Sequence, residues 1–217
     1  MKNLFLFLRC PSTTQSKANV SIIISTILYF IVPLLLSTVL FIISELQGNN
    51  SLIRIAPVDH NIYKLFIAVI LEEISFRLPL KDKIVYRVLS SLALSTILGQ
   101  VFFFSSTRLL LRIILVLVIA GILFLLQERM FKYLSYPIIF YLYAAAFGLL
   151  HLANLGFISF GISSLLIGFF YCFEKTIGGI LLGYLRIQVG ILMPVIIHIL
   201  YDLLPFIMEF FANCIVK

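Results

Sequence analysis

The stretch Ile70-Leu71-Glu72-Glu73-Ile74-Ser75-Phe76-Arg77-Leu78-Pro79-Leu80 places three ionisable side chains in a run that is otherwise apolar from Ile62 to Leu80, apart from Lys64 and Ser75. The run is long enough to span a bilayer. Each charge near the centre of a spanning helix costs ~2.5–3.5 kcal/mol, while each Leu, Ile, Phe or Val returns only ~0.3–0.6 kcal/mol. Such a helix inserts poorly alone, so Glu72, Glu73 and Arg77 must be satisfied by one another or by neighbouring helices. Glu73 and Arg77 are four residues apart, with the acid N-terminal to the base, the favourable order for a pair on one helix face. Glu72 lies about 100° round the helix from Glu73 and is left without a local partner.

Composition widens this reading to the whole chain. With 62% hydrophobic residues, 12% charged and a mean hydropathy of +1.17, the 217 residues fall outside the soluble globular range and predict an all-α, polytopic membrane helix bundle of about eight transmembrane helices. The net charge of +7 sits mainly in short gaps between apolar runs. There it reads as a set of topology determinants, and no nucleic-acid partner is expected. Cys10, Cys172 and Cys214 are far apart and lack ligand spacing, so neither a disulfide framework nor a zinc cluster follows. The ending Cys214-Ile215-Val216-Lys217 has the outline of a prenylation box, but its terminal Lys is outside the usual set. The short apolar run before Arg9 lacks a cleavage site, and no removed leader is expected.

In order, residues 1–19 read as a basic cytoplasmic lead, residues 20–61 as a first transmembrane helix and its loop, residues 62–211 as the core, and residues 212–217 as a short tail. The spans are expected at 20–43 (with Pro33 as a kink), 62–80, 88–105, 113–126, 138–155, 157–173, 176–189 and 191–211. Gln127 to Tyr136 reads as a turn, and Gly178, Gly179 and Gly183 as a face for close helix approach. The bias of Lys and Arg between alternate gaps puts both termini in the cytoplasm. The expected location is a cell membrane, crossed several times, with the N-terminus inside.

Few polar side chains fall well within these spans: Glu72, Glu73, His151, Asn154, His198 and Asp202. His198 and Asp202 share a helix face at a spacing of four, as do Phe147 and His151. Singly, each has a plain structural explanation, such as a histidine bonded to a neighbouring carbonyl. Together, each adds to an insertion cost that the fold recovers through mutual contact. The chemistry open to such a set is activation of water. One route uses a buried carboxylate as general base. The other uses a divalent metal on His and carboxylate ligands. Both predict hydrolysis.

Three segments resemble the motifs of the CAAX-protease and bacteriocin-processing (Abi) family of intramembrane proteases: Glu72-Glu73-Ile74-Ser75-Phe76-Arg77, Phe147-Gly148-Leu149-Leu150-His151 and His198-Ile199-Leu200-Tyr201-Asp202. They occur in the family's order, and the run from Gly179 to Pro194 is similar to the segment before the third motif. The resemblance implies a membrane-embedded protease, a metalloendopeptidase in the family's usual description, set in the bacterial cytoplasmic membrane and acting on a membrane-associated or secreted peptide in bacteriocin self-immunity or peptide maturation. It makes Glu72 the water-activating carboxylate, Glu73 and Arg77 its supporting pair, and His151 a partner in water activation. His198 and Asp202 become metal ligands or oxyanion stabilisers. In the metal-dependent case His151, His198 and Asp202 would hold one divalent ion such as zinc; a metal-free glutamate mechanism is the other. Two readings from different classes compete: a non-catalytic immunity protein that binds a toxin or its receptor, and a proton- or metal-coupled transporter.

Overall fold

Long apolar runs leave the backbone one local way to satisfy its N–H and C=O groups in lipid, the helix. The computed structural model is accordingly an all-α membrane helix bundle. It describes residues 2–13, 19–46, 53–55, 62–102, 109–157 and 162–215. The helices are α1 (Lys2–Arg9), α2 (Asn19–Leu46), α3 (Ile62–Phe76), α4 (Ile84–Phe102), α5 (Leu109–Tyr133), α6 (Tyr136–Leu150), α7 (Ile162–Val189) and α8 (Leu192–Ile215). Among the described residues, four are long and apolar enough to cross a membrane: Ile84–Val101, Leu109–Tyr133, Tyr136–Ala153 and Leu165–Val189. A short antiparallel pair, β1 (Ile53–Ile55) with β2 (Leu155–Phe157), sets Ile53 opposite Phe157.

Several expected boundaries move. The sixth and seventh spans are one helix, α7, and the eighth helix of the bundle is α1. The physical reason is that Phe173-Glu174-Lys175-Thr176 contains no Gly or Pro to break the helix, and its two charges pair with each other, Lys175 Nζ lying 3.1 Å from Glu174 Oε1. Likewise the expected turn at Gln127 is the last part of α5, where Gln127 is buried and its Nε2 donates to Ser90 Oγ at 3.1 Å. The span expected to run to Leu80 stops at Phe76, and a buried 3₁₀ turn, Leu78–Leu80, follows.

That early stop is set by Pro79, which has no N–H for the carbonyl of Ser75. Ser90 Oγ donates to that carbonyl instead, at 2.7 Å. The turn is tied down further by Arg186 Nε donating to Arg77 O at 3.2 Å and Tyr136 Oη to Leu80 O at 2.9 Å. These bonds bring the end of α3 and the starts of α4 and α6 together with the end of α7. Ser21 Oγ, 2.7 Å from Tyr184 Oη, adds the start of α2. Arg186 therefore shares an end with Lys81 and Lys83, where the expected topology put it opposite them. α8 starts from this same end after Gly190, whose φ of 97° lies in the left-handed region that favours glycine. With α7 uninterrupted, α8 runs to the opposite end, so the expectation of both termini on one side does not hold.

Helix α7 is the axis of the packing, with α2, α6 and α8 against it. At the α6 contact the chains approach so closely that a Cβ on Gly148 would sit 2.1 Å from Thr176 Oγ1, and one on Gly183 2.9 Å from the Phe140 ring. The lead is not merely basic: Leu4 and Phe7 of α1 are buried, and the Phe7 ring meets Phe140 and Tyr184 edge-on at 5.2 and 5.0 Å. By contrast α5 buries only Ala120 and Gln127 among its described residues, which leaves an apolar surface suited to lipid.

Candidate active site

Glu72 and Glu73 occupy the last turns of α3, one turn before the Pro79 stop. Glu73 is fully buried and Arg77 nearly so. Arg77 Nε lies 3.6 Å from Glu73 Oε2, too far for a hydrogen bond but close in charge. The guanidinium Cζ lies 3.8 Å from the centroid of the Phe147 ring, a cation–π contact. The expected Glu73–Arg77 pair is thus present and is clamped from the side by the aromatic residue of α6.

Phe147 also orders the imidazoles. Its ring meets His151 at 4.5 Å, His198 at 5.9 Å and Phe76 at 5.5 Å, all edge-on. His151 caps the end of α6, and its Nδ1 lies 2.8 Å from Phe147 O. A carbonyl oxygen only accepts, so Nδ1 carries the hydrogen and Nε2 presents a lone pair when the ring is neutral. His198, in the second turn of α8, donates from Nδ1 to Glu73 Oε1 at 2.9 Å. Its Nε2 is turned the other way.

Both Nε2 atoms face one carboxylate oxygen. His151 Nε2 and His198 Nε2 are each 3.8 Å from Glu72 Oε2, and His198 Nε2 is 3.7 Å from Asp202 Oδ2. All six expected site residues are therefore brought together, from the ends of α3 and α6 and the first half of α8. Asn154 lies in the 3₁₀ turn after His151, and its side chain is outside the described residues. Gathering lone pairs without donors is unfavourable unless a cation, a proton or water hydrogens stand among them.

The donor types here, imidazole nitrogen and carboxylate oxygen, are those that hold a divalent ion. Zinc bond lengths near 2.0–2.2 Å put tetrahedral ligand atoms roughly 3.4 Å apart, so the present spacings would close by a few tenths of an ångström. The hydrogen bonds at both Nδ1 atoms are the kind that orient metal-binding imidazoles. Among the described residues, no group of three or more His, Cys, Asp or Glu side chains is placed to hold a metal ion as it stands. Glu72 bridges the two imidazoles, whereas Asp202 reaches only that of His198.

Beside His198 lies a small cavity of about 20 Å³, lined by Tyr29, Phe147, His151, Lys175, His198 and Asp202 among others. Tyr29, Glu174, Lys175 and Tyr201 are the site residues that sequence reasoning misses. Tyr29 comes from α2, outside the expected core, and its ring meets Tyr201 at 5.3 Å. Glu174 and Lys175 are hidden by the expected loop between two spans. The signal that exposes them is length: Thr176 to Val189 rises only about 20 Å as a helix, short of a ~30 Å hydrocarbon core. Compared with known proteins, the chain matches no family model, no curated protein and no solved structure.

Proposed function

We propose that this chain is a multi-pass intramembrane endopeptidase that hydrolyses a peptide bond of a membrane-associated or secreted peptide, as the resemblance to the CAAX-protease and bacteriocin-processing family implies. The observation that carries the reading is the convergence of His151 Nε2 and His198 Nε2 on Glu72 Oε2 at 3.8 Å beside a cavity. Water held between these atoms donates to the Glu72 carboxylate and presents its oxygen to the scissile carbonyl carbon. Glu72 takes the water proton as the C–O bond forms, then passes it to the leaving amine nitrogen as the C–N bond breaks. Carboxylic acid and amine are the products, and Glu72 returns to its starting form.

The other residues keep Glu72 in place for this work. His151, tied to Phe147 O, and His198, tied to Glu73, cannot rotate away without losing a buried hydrogen bond. Arg77 anchors Glu73 in turn. A divalent ion, held by His151, His198 and Asp202, would supply Lewis acidity to the same water.

Orientation follows from charge. Arg9, Lys81, Lys83, Arg87, Arg129, Lys132 and Arg186 belong to elements at one end of the bundle, against Arg54, Lys64 and Arg112 at the other. The first end is assigned to the cytoplasm of a bacterial cell. The cavity lies on the other side of His198, so substrate enters from the extracytoplasmic half.

The test is cleavage of candidate peptides by detergent-purified protein, with metal content measured on the same sample. Glu72→Gln is expected to lower cleavage roughly 10²–10⁴-fold, the usual worth of a general base. A stoichiometric metal lost in His198→Ala supports the metal-dependent form; cleavage without bound metal supports the glutamate form. Cleavage that persists in Glu72→Gln at matched expression overturns the proposal.

A further inference from the structure

The Glu174–Lys175 pair takes no part in the mechanism above, yet it lies in the middle of a 28-residue helix. Charges at such a depth are costly and mark function by default. Glu174 is 2% exposed, and its Oε1 accepts from Lys175 Nζ at 3.1 Å and from Tyr201 Oη at 3.5 Å. Lys175 Nζ stands 5.4 Å from the ring centroids of both Tyr171 and Tyr201. An ammonium has three donors, and Glu174 takes one. The Lys175 side chain retains 20% exposure and lines the same cavity as His151, His198 and Asp202.

That cavity is electrostatically divided. Asp202 stands on the α8 wall with His198, where it repels an anion, while Lys175, beside its partner Glu174, is the cation on the α7 wall. The aromatic box and Glu174 hold its head in place, so little entropy is lost when a ligand arrives. A carboxylate accepting the remaining donors gains a charge-assisted hydrogen bond away from bulk water.

Resting on the protease reading for the identity of the ligand, we infer that Lys175 is a substrate-binding residue that receives a carboxylate of the peptide and so sets which bond lies at Glu72. The carboxylate is either the peptide's C-terminus or an acidic side chain close to the scissile bond. Both are the same chemistry at Lys175. They differ in what C-terminal amidation does.

The experiment is a binding titration on Glu72→Gln protein in detergent. It uses one fluorescently labelled apolar peptide in three forms: free acid, C-terminal amide, and amide with an internal Glu. The expected result is that at least one carboxylate-bearing form binds tenfold or more tighter than the plain amide. Preference for the free acid identifies the C-terminus, and tight binding of the internal-Glu amide identifies a side chain. The preference falls below threefold when Lys175→Met is added and is largely kept with Lys175→Arg. Because Lys175→Met removes the cation beside buried Glu174, the joint Glu174→Gln/Lys175→Met change serves as a second variant that removes both charges together. Equal binding of all three forms, no binding of any, or a preference that survives both variants overturns the inference. Binding needs no turnover, so if the unsubstituted protein never cleaves the carboxylate forms that the Glu72→Gln protein prefers, the protease reading fails and the anion site stands.

Discussion

Arg77 holds its charge against Glu73 and the Phe147 ring, and its three side-chain nitrogens have no hydrogen-bond partner among the described residues. Glu73 relies on it, because Glu73 Oε2 is also without a hydrogen bond while Oε1 is taken by His198. Arg77→Met is therefore expected to destabilise the protein by about 3–5 kcal/mol, the usual effect of orphaning one partner of a buried ion pair. Pairing it with Glu73→Gln removes the orphaned charge and recovers part of the loss. Thermal unfolding in detergent of the two single variants and the double variant measures both. Losses that simply add would show that the residues do not act as a pair. The spacing of four made this pair legible in the sequence, as it did Phe147 with His151 and His198 with Asp202. The bond from His198 to Glu73, across 125 residues, was not legible, because no local pattern records which neighbour a solitary imidazole will face.

At the scale of elements, the α6–α7 contact depends on small residues, since two helices cannot approach closely where a Cβ intervenes. A Cβ at Gly148 would meet Thr176 Oγ1 at 2.1 Å and the carbonyl of Cys172 at 2.6 Å, both on α7. Gly148→Ala is expected to cost about 1–3 kcal/mol through overpacking and to lower cleavage, because Phe147 and His151 ride on the displaced helix. Gly121 of α5 has open space at its Cβ position, so Gly121→Ala is the control and should leave unfolding and activity near their starting values. Unchanged unfolding in Gly148→Ala would mean that the helices part without loss. Pro79 shows why element ends were harder to read than elements. Hydropathy carries the span on to Leu80, but the missing N–H ends the helix at Phe76, and only the arrival of Ser90 from α4 makes that end stable.

For the whole molecule, an uninterrupted α7 and a basic end shared by α1, α4 and α6 define the orientation that the proposal uses. Cys10 is exposed at that end and reports on it. In a variant keeping Cys10 and lacking Cys172 and Cys214, a membrane-impermeant maleimide applied to intact cells is expected to leave Cys10 unlabelled until the membrane is permeabilised. Labelling of intact cells would reverse the orientation and place the cavity on the cytoplasmic side. What the sequence determined by itself is the class of the molecule and the membership of its central cluster. Hydropathy is a sum over residues, and the insertion cost of Glu72, Glu73, Arg77, His151, His198 and Asp202 demands partners whatever the packing. Tertiary structure alone decided that α7 is one helix, that Arg186 joins the basic end, and that Tyr29 and Lys175 enter the cavity. Those outcomes depend on how helices far apart in the chain are laid against one another, and a lysine read along the sequence is the same residue whether it faces water in a loop or a site in the middle of a bundle.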